Sequence, residues 1–190
     1  MKINKNILIL SIVLVVLATA CKYFFGPNPT MSGFSPIIAI ALFAGFIIQQ
    51  KDRSFVLPLL ALLLSDVIIQ GLYLSGNFEY AGFYSGQWKN YLLLLAAVLI
   101  GWQLKGKKLS GILKGAIIAP VVFFLASNTL VWLSVNEIVY AKSFAGWLTS
   151  LEAGLPFFRN SLIATMVFLP VILVVYNYFD RKKLVLTLAK

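Results

Sequence analysis

The sequence predicts an all-α membrane protein: six transmembrane helices forming one integral domain over residues 1–190, with both termini in the cytoplasm. Three observations predict it. The 190 residues are 61% hydrophobic and only 12% charged, more apolar surface than a soluble domain of that size hides. Long apolar runs follow one another with room for loops only. Short basic clusters recur at alternate connections: Lys51 with Arg53, then Lys105, Lys107 and Lys108, then Arg181, Lys182 and Lys183. Short loops rich in Lys and Arg stay in the cytoplasm, so this spacing sets a topology.

The elements follow in chain order, each measured against the roughly 20 residues that a span needs. The first span covers 7–25, after Lys2 and Lys5. The second, 36–50, is short and starts inside the bilayer. The third covers 54–74, the fourth 91–104, the fifth 109–133 and the sixth 157–179. With Lys2 and Lys5 inside, six crossings put every basic cluster inside. The outer connections, 26–35, 75–90 and 134–156, carry Lys89 and Lys142 against Glu79, Glu137 and Glu152. Tyr23, Phe24, Tyr80, Tyr84, Trp88, Trp132 and Trp147 suit an interfacial aromatic belt on that side. Inner links are mere turns and outer links are long, which puts the interest outside.

The first span has a rival reading. Leu17 to Cys21 (Leu-Ala-Thr-Ala-Cys) resembles a lipoprotein signal cleaved before Cys21. Ala18 is a weaker residue than Leu at its position, and cleavage would leave five spans and spoil the charge alternation. These points favour an uncleaved span.

Composition also excludes functions. The net charge of +10 sits at cytoplasmic ends, where it meets anionic headgroups, so it does not indicate nucleic acid. There is no His, which removes the commonest metal ligand and the commonest general base near neutral pH. One Cys permits no internal disulfide. The carboxylates are scattered, no Gly-rich phosphate loop is present, and no nucleophile–base pair stands out. The expectation is a non-enzyme with no metal and no cofactor.

Polar residues inside spans are costly and often functional. Asp66 and Gln70 lie one turn apart on one face of the third span, and Asn128 and Trp132 do the same on the fifth. Glu152, Arg159 and Asn160 cluster at the outer start of the sixth, and Asn28 lies in the first outer loop. All share the outer third of the membrane, which suggests a polar pocket open to the outside. The structural alternatives are an Asp66–Arg159 pair pinning two helices, an interhelical hydrogen bond from Asn128, and a snorkelling Arg159. Ala41 with Gly45, and Gly111 with Gly115, have the small-residue spacing of close helix packing, internal or against a docking partner. Cys21 reads as a small apolar residue at a helix interface, or else as a soft metal ligand.

One further signal is the stretch Pro27-Asn28-Pro29-Thr30-Met31-Ser32-Gly33-Phe34-Ser35-Pro36, running on to Ala41-Leu42-Phe43-Ala44-Gly45. With Leu62 to Asp66, Ser127 to Leu133, and Gly154 to Leu162, it resembles an uncharacterised bacterial family of six-span proteins described as transport proteins. That family is similar to the S components of energy-coupling-factor (ECF) transporters. The resemblance implies a bundle that captures a vitamin-like micronutrient outside and docks on a membrane coupling subunit driven by two ATPases. It also implies a bacterial cytoplasmic membrane. The first span has no clean copy of the alanine-x-x-x-alanine docking motif of S components, and Ala41 with Gly45 is the nearest equivalent. The competing reading is a non-transporting integral subunit or scaffold of a bacterial membrane complex, since buried polar residues also serve assembly.

Overall fold

The computed structural model describes residues 5–48, 50–104 and 109–179. Lys2, Lys105, Lys107, Lys108, Arg181, Lys182 and Lys183 lie outside them. Every regular element among the described residues is helical: α1 (Lys5–Phe25), α2 (Ile37–Ile47), α3 (Lys51–Ser54), α4 (Val56–Leu74), α5 (Trp88–Gln103), α6 (Leu109–Ser134) and α7 (Phe144–Phe179).

Among the described residues four stretches are long and apolar enough to cross a membrane: Leu8–Phe25, Lys51–Leu74, Ser110–Ser134 and Phe144–Tyr178. Their outward faces are apolar too, with Ile12, Val16, Leu60, Val67, Ile117 and Val171 exposed. Apolar surface on this scale marks a membrane-embedded protein rather than a soluble one.

α2 is different. Its 11 residues reach about 16 Å, half of the ~30 Å hydrocarbon core. Ile38 to Phe46 are buried without interruption, so neighbours surround the helix on all sides. It packs against α4, α5, α6 and α7 and is the axis of the bundle. Gly45 and Gly101 allow its approach to α5: a Cβ on Gly101 would sit 2.5 Å from the Leu42 carbonyl oxygen, and one on Gly45 would overlap that of Val98. Ala41 and Gly45 are therefore internal packing and offer no free face to a partner.

The expected sixth span, 157–179, is the second half of a much longer helix. The expected outer connection 134–156 is helical from Phe144 onward. Ser143 caps the true start, its Oγ accepting the Gly146 N–H at 3.2 Å. Ser150 and Gly154 are then buried against Asn128 of α6, where larger side chains would hold the helices apart, and Gly146 is buried against the Ala141 carbonyl of the connection. Trp147 Nε1 donates to Thr129 Oγ1 at 2.9 Å, and Ser150 Oγ to the Asn128 carbonyl at 3.0 Å. Proline within a helix costs one backbone hydrogen bond and not the helix, so α7 continues through Pro156.

Apart from α3, which leads into α4, consecutive helices alternate in direction: Lys22 near the end of α1 and Asp66 in the second half of α4 meet Tyr91 at the start of α5 by way of the Asp66 carboxylate, and Phe124 in the second half of α6 meets Phe158 on α7. The ends of α1, α4 and α6 thus meet the starts of α2, α5 and α7 at one loop-rich end. The opposite end carries α3. There α3 supplies Ser54, whose Oγ accepts the Trp102 indole N–H at 2.9 Å, and Lys51 lies 5.2 Å over the same ring.

Candidate functional site: a two-chambered cleft at the loop-rich end

Two cavities open at the loop-rich end and share a wall. One, of about 320 Å³, is lined by Cys21, Lys22, Ser32, Asp66, Gln87 and their neighbours. The other, of about 550 Å³, is lined by Pro120, Phe123, Phe124, Asn128, Phe157 and Phe158 among others. Gly33, Ser35, Ile37, Tyr84 and Asn90 belong to both, so they form one cleft with a polar and an aromatic chamber.

Asp66 organises the polar chamber. Its side chain is 0% exposed, against 30% for the Lys22 side chain that pairs with it. Lys22 Nζ donates to Oδ1, while Gln87 Nε2, at 2.5 Å, and the Tyr91 hydroxyl donate to Oδ2. A carboxylate so far from water needs such partners, because an isolated charge in low dielectric is prohibitively costly. The set draws on α1, α4 and α5 and on the loop before α5. Gln87 also donates to the Gly82 carbonyl at 3.0 Å and accepts the Tyr84 N–H at 3.1 Å, which folds residues 82–87 over α4. Gly82 makes this close approach feasible, since a Cβ there would overlap the Asp66 carbonyl oxygen. Gln70 holds the same loop by accepting the Phe83 N–H at 3.1 Å.

The Tyr84 hydroxyl accepts from Asn90 Nδ2 at 2.6 Å. Partial burial, and after it the Asp66 charge, raises the Tyr84 phenol above its ordinary pKa. It therefore keeps its proton at neutral pH and remains a donor.

The other wall is the 26–36 connection. Asn160, buried on α7, donates through Nδ2 to the carbonyls of Thr30 and Ser32, each at 2.8 Å. Gly33, at φ +88°, lies against the Phe157 backbone, where a side chain would be strained and crowded. Phe34 packs between Phe25 and Phe168, with centroids at 5.3 and 5.5 Å. Asn160→Ala should orphan two carbonyls and lower stability by about 1–3 kcal/mol. Thermal unfolding in detergent checks this, and an unchanged midpoint would show that the connection does not depend on Asn160.

The expected site residues thus fall into three groups. Asp66 and Asn128 line the cleft, with Asn128 Nδ2 bound to the Phe124 carbonyl at 2.8 Å. Gln70 and Asn160 hold its walls. Asn28, Trp132, Glu152 and Arg159 line neither chamber. Asn28 closes a local turn with Thr30. Trp132 holds the α6–α7 connection through the Ala141 carbonyl at 2.8 Å. Glu152 and Arg159 are exposed on α7, two turns apart on the face turned from the bundle. The ion-pair partner of Asp66 is Lys22, not Arg159.

Lys22, Gln87 and Tyr91 were missed as site residues. A signal for Lys22 was available: it is a cation at the outer end of a span, against the charge rule that every basic cluster obeys. A membrane-depth cation of that kind calls for a carboxylate partner, and Asp66 is the one carboxylate within the six spans expected from the sequence.

Among the described residues no group of His, Cys, Asp and Glu could hold a metal ion. Gly111 and Gly115 lie at the opposite end, beside a groove of about 580 Å³ between α5 and α6 that also touches Gln103 and Lys114.

The model of a family of unknown function, DUF6580, matches residues 1–186, and the chain belongs to that family. No curated protein and no solved structure matches it.

Proposed function

We propose that this member of the DUF6580 family is a substrate-capturing membrane transport protein of the S-component type. It binds a small polar or aromatic micronutrient, such as a vitamin, in the cleft at the loop-rich end, which faces the outside of a bacterial cytoplasmic membrane. The observation that carries the reading is the cleft itself. Its volume suits a small organic ligand, and polar groups converge at one end of a mainly apolar lining. The alternating helix ends support six crossings, α2 and α5 completing the four long helices. Short helices at membrane depth are tolerated where protein surrounds them, as it surrounds α2. A membrane coupling subunit carrying two ATPases would be the partner, and the groove beside Gly111 and Gly115 is the open surface for it.

One observation favours the second reading, a non-transporting integral subunit or scaffold. Among the described residues every buried side-chain polar atom already has a partner, as a purely structural network requires.

The test is thermal unfolding of the purified protein against a panel of vitamins and metabolites. A bound ligand at a hundred times its dissociation constant stabilises by about 2.7 kcal/mol. The expected result is a saturable shift with one compound, lost in Tyr84→Ala. Tyr84 borders both chambers, and its exposure makes truncation tolerable for the fold. No shift anywhere, with a protein partner retained through purification, would overturn capture in favour of the subunit reading.

A further inference from the structure

We infer that the ligand of this cleft is an amphipathic monocarboxylate, its carboxylate on Lys22 and its apolar body against the wall that Phe124 and Phe158 form. The inference rests on the capture reading and adds the chemical class. It follows from counting which polar groups in the cleft remain unspent.

Asp66 is spent. Three donors occupy its oxygens and none of its side chain is exposed, so it does not receive a cationic ligand. Gln87 is spent as well, with its amide nitrogen on Asp66 and Gly82 and its oxygen on the Tyr84 N–H. Ser65 donates to the Leu62 carbonyl at 2.7 Å. Lys22 differs. An ammonium has three N–H donors and only one is engaged here, while Lys22 lines the polar chamber and its side chain keeps 30% exposure. The Tyr84 O–H and the second Asn90 N–H are also unspent, and both residues stand at the junction of the chambers.

The unspent groups are therefore mostly donors grouped around one cation, which calls for an anion rich in acceptors. Among the described residues Lys22 is the sole cation lining either chamber. The Lys22–Asp66 pair is already neutral, so each ligand charge adds to a low-dielectric cleft: a carboxylate brings one, met by the unspent ammonium N–H groups and the neighbouring donors, and a phosphate brings up to two. The second chamber sets the rest of the molecule. Phe124 and Phe158 lie 4.7 Å apart at 31°, with Phe123, Phe157, Pro120 and Val131 around them. Such a lining takes a ring or a short hydrocarbon body. Asp66 then acts as a positioning residue that holds the Lys22 ammonium in place.

The test uses three probes of one shape: 4-phenylbutyrate, its amide and the corresponding amine, titrated by calorimetry on the full chain in nanodiscs beside the metabolite panel. The expected order is carboxylate over amide by about tenfold or more, with the amine weakest. Lys22→Met alone strands Asp66, so the charge-neutral pair Lys22→Met with Asp66→Asn keeps the test interpretable. In it the ratio of carboxylate to amide affinity should fall to near one, whatever loss the two share. If the amide or amine binds as well as the carboxylate, or if the tightest panel compound is cationic, capture survives and the monocarboxylate assignment fails. If the neutral pair keeps the carboxylate preference, Lys22 is not the anchor and the assignment fails. If neither the probes nor the panel bind, capture falls with it.

Discussion

Asp66→Ala is expected to destabilise the protein by about 3 kcal/mol, the lower end of what breaking a buried ion pair costs. The lower end applies because Lys22 keeps some exposure. The loss has two sources. The Lys22 ammonium stays beside an apolar wall with its counter-charge gone, and Gln87 and Tyr91 lose the acceptor that faces them. The second source also loosens residues 82–87, so Tyr84 should become mobile and ligand binding should weaken beyond what stability alone explains. Lys22→Met should cost a similar amount, since it strands the carboxylate. The two changes combined should cost clearly less than the sum of the single ones, because neither charge is then left alone. Unfolding midpoints of the four proteins in one detergent give the cycle. Additive losses would mean that Lys22 and Asp66 act independently, and the polar chamber would lose its organising pair.

The parts legible in the sequence were those governed by a single physical term. Hydropathy marked the long helices, and α1, α4 and α6 lie within a few residues of their expected bounds. Asp66 was singled out because an ionisable residue at membrane depth demands an explanation. What was not legible depended on pairing in space. Arg159 was a natural partner for Asp66 by depth, but depth says nothing of azimuth, and Arg159 lies on the face of α7 turned away from the bundle. The first half of α7 falls in the expected outer connection 134–156, whereas in space Ser150 and Gly154 are the small positions of a close contact with α6. The aromatic chamber was invisible for a related reason. Phe123, Phe124, Phe157 and Phe158 are ordinary apolar residues of two separate runs until α6 and α7 bring them together.

The glycines of the central helix give the second large effect. Gly45→Ala should destabilise by about 3 kcal/mol, at the upper end of overpacking losses. The added methyl group would overlap the Val98 carbonyl oxygen and lie close to Gly101, both backbone atoms that cannot rotate away. α2 and α5 would have to separate by about an ångström, forfeiting dispersion contacts along the whole interface. Because Ile37 and Ile38 at the start of α2 line the cleft, the displacement should also weaken ligand binding. Gly71→Ala is the matched control. Gly71 is exposed on α4 with nothing within 4 Å of an added Cβ, so the helix propensity of alanine leaves stability unchanged or slightly raised. The same pair of variants separates internal packing from partner docking at Ala41 and Gly45. Were Gly45 part of a docking face, its alanine variant would unfold like wild type in isolation and lose only a partner. A midpoint lowered in the isolated protein, with Gly71→Ala unaffected, places the α2–α5 contact at the centre of the fold and leaves the groove beside Gly111 and Gly115 as the surface on which a partner is to be sought.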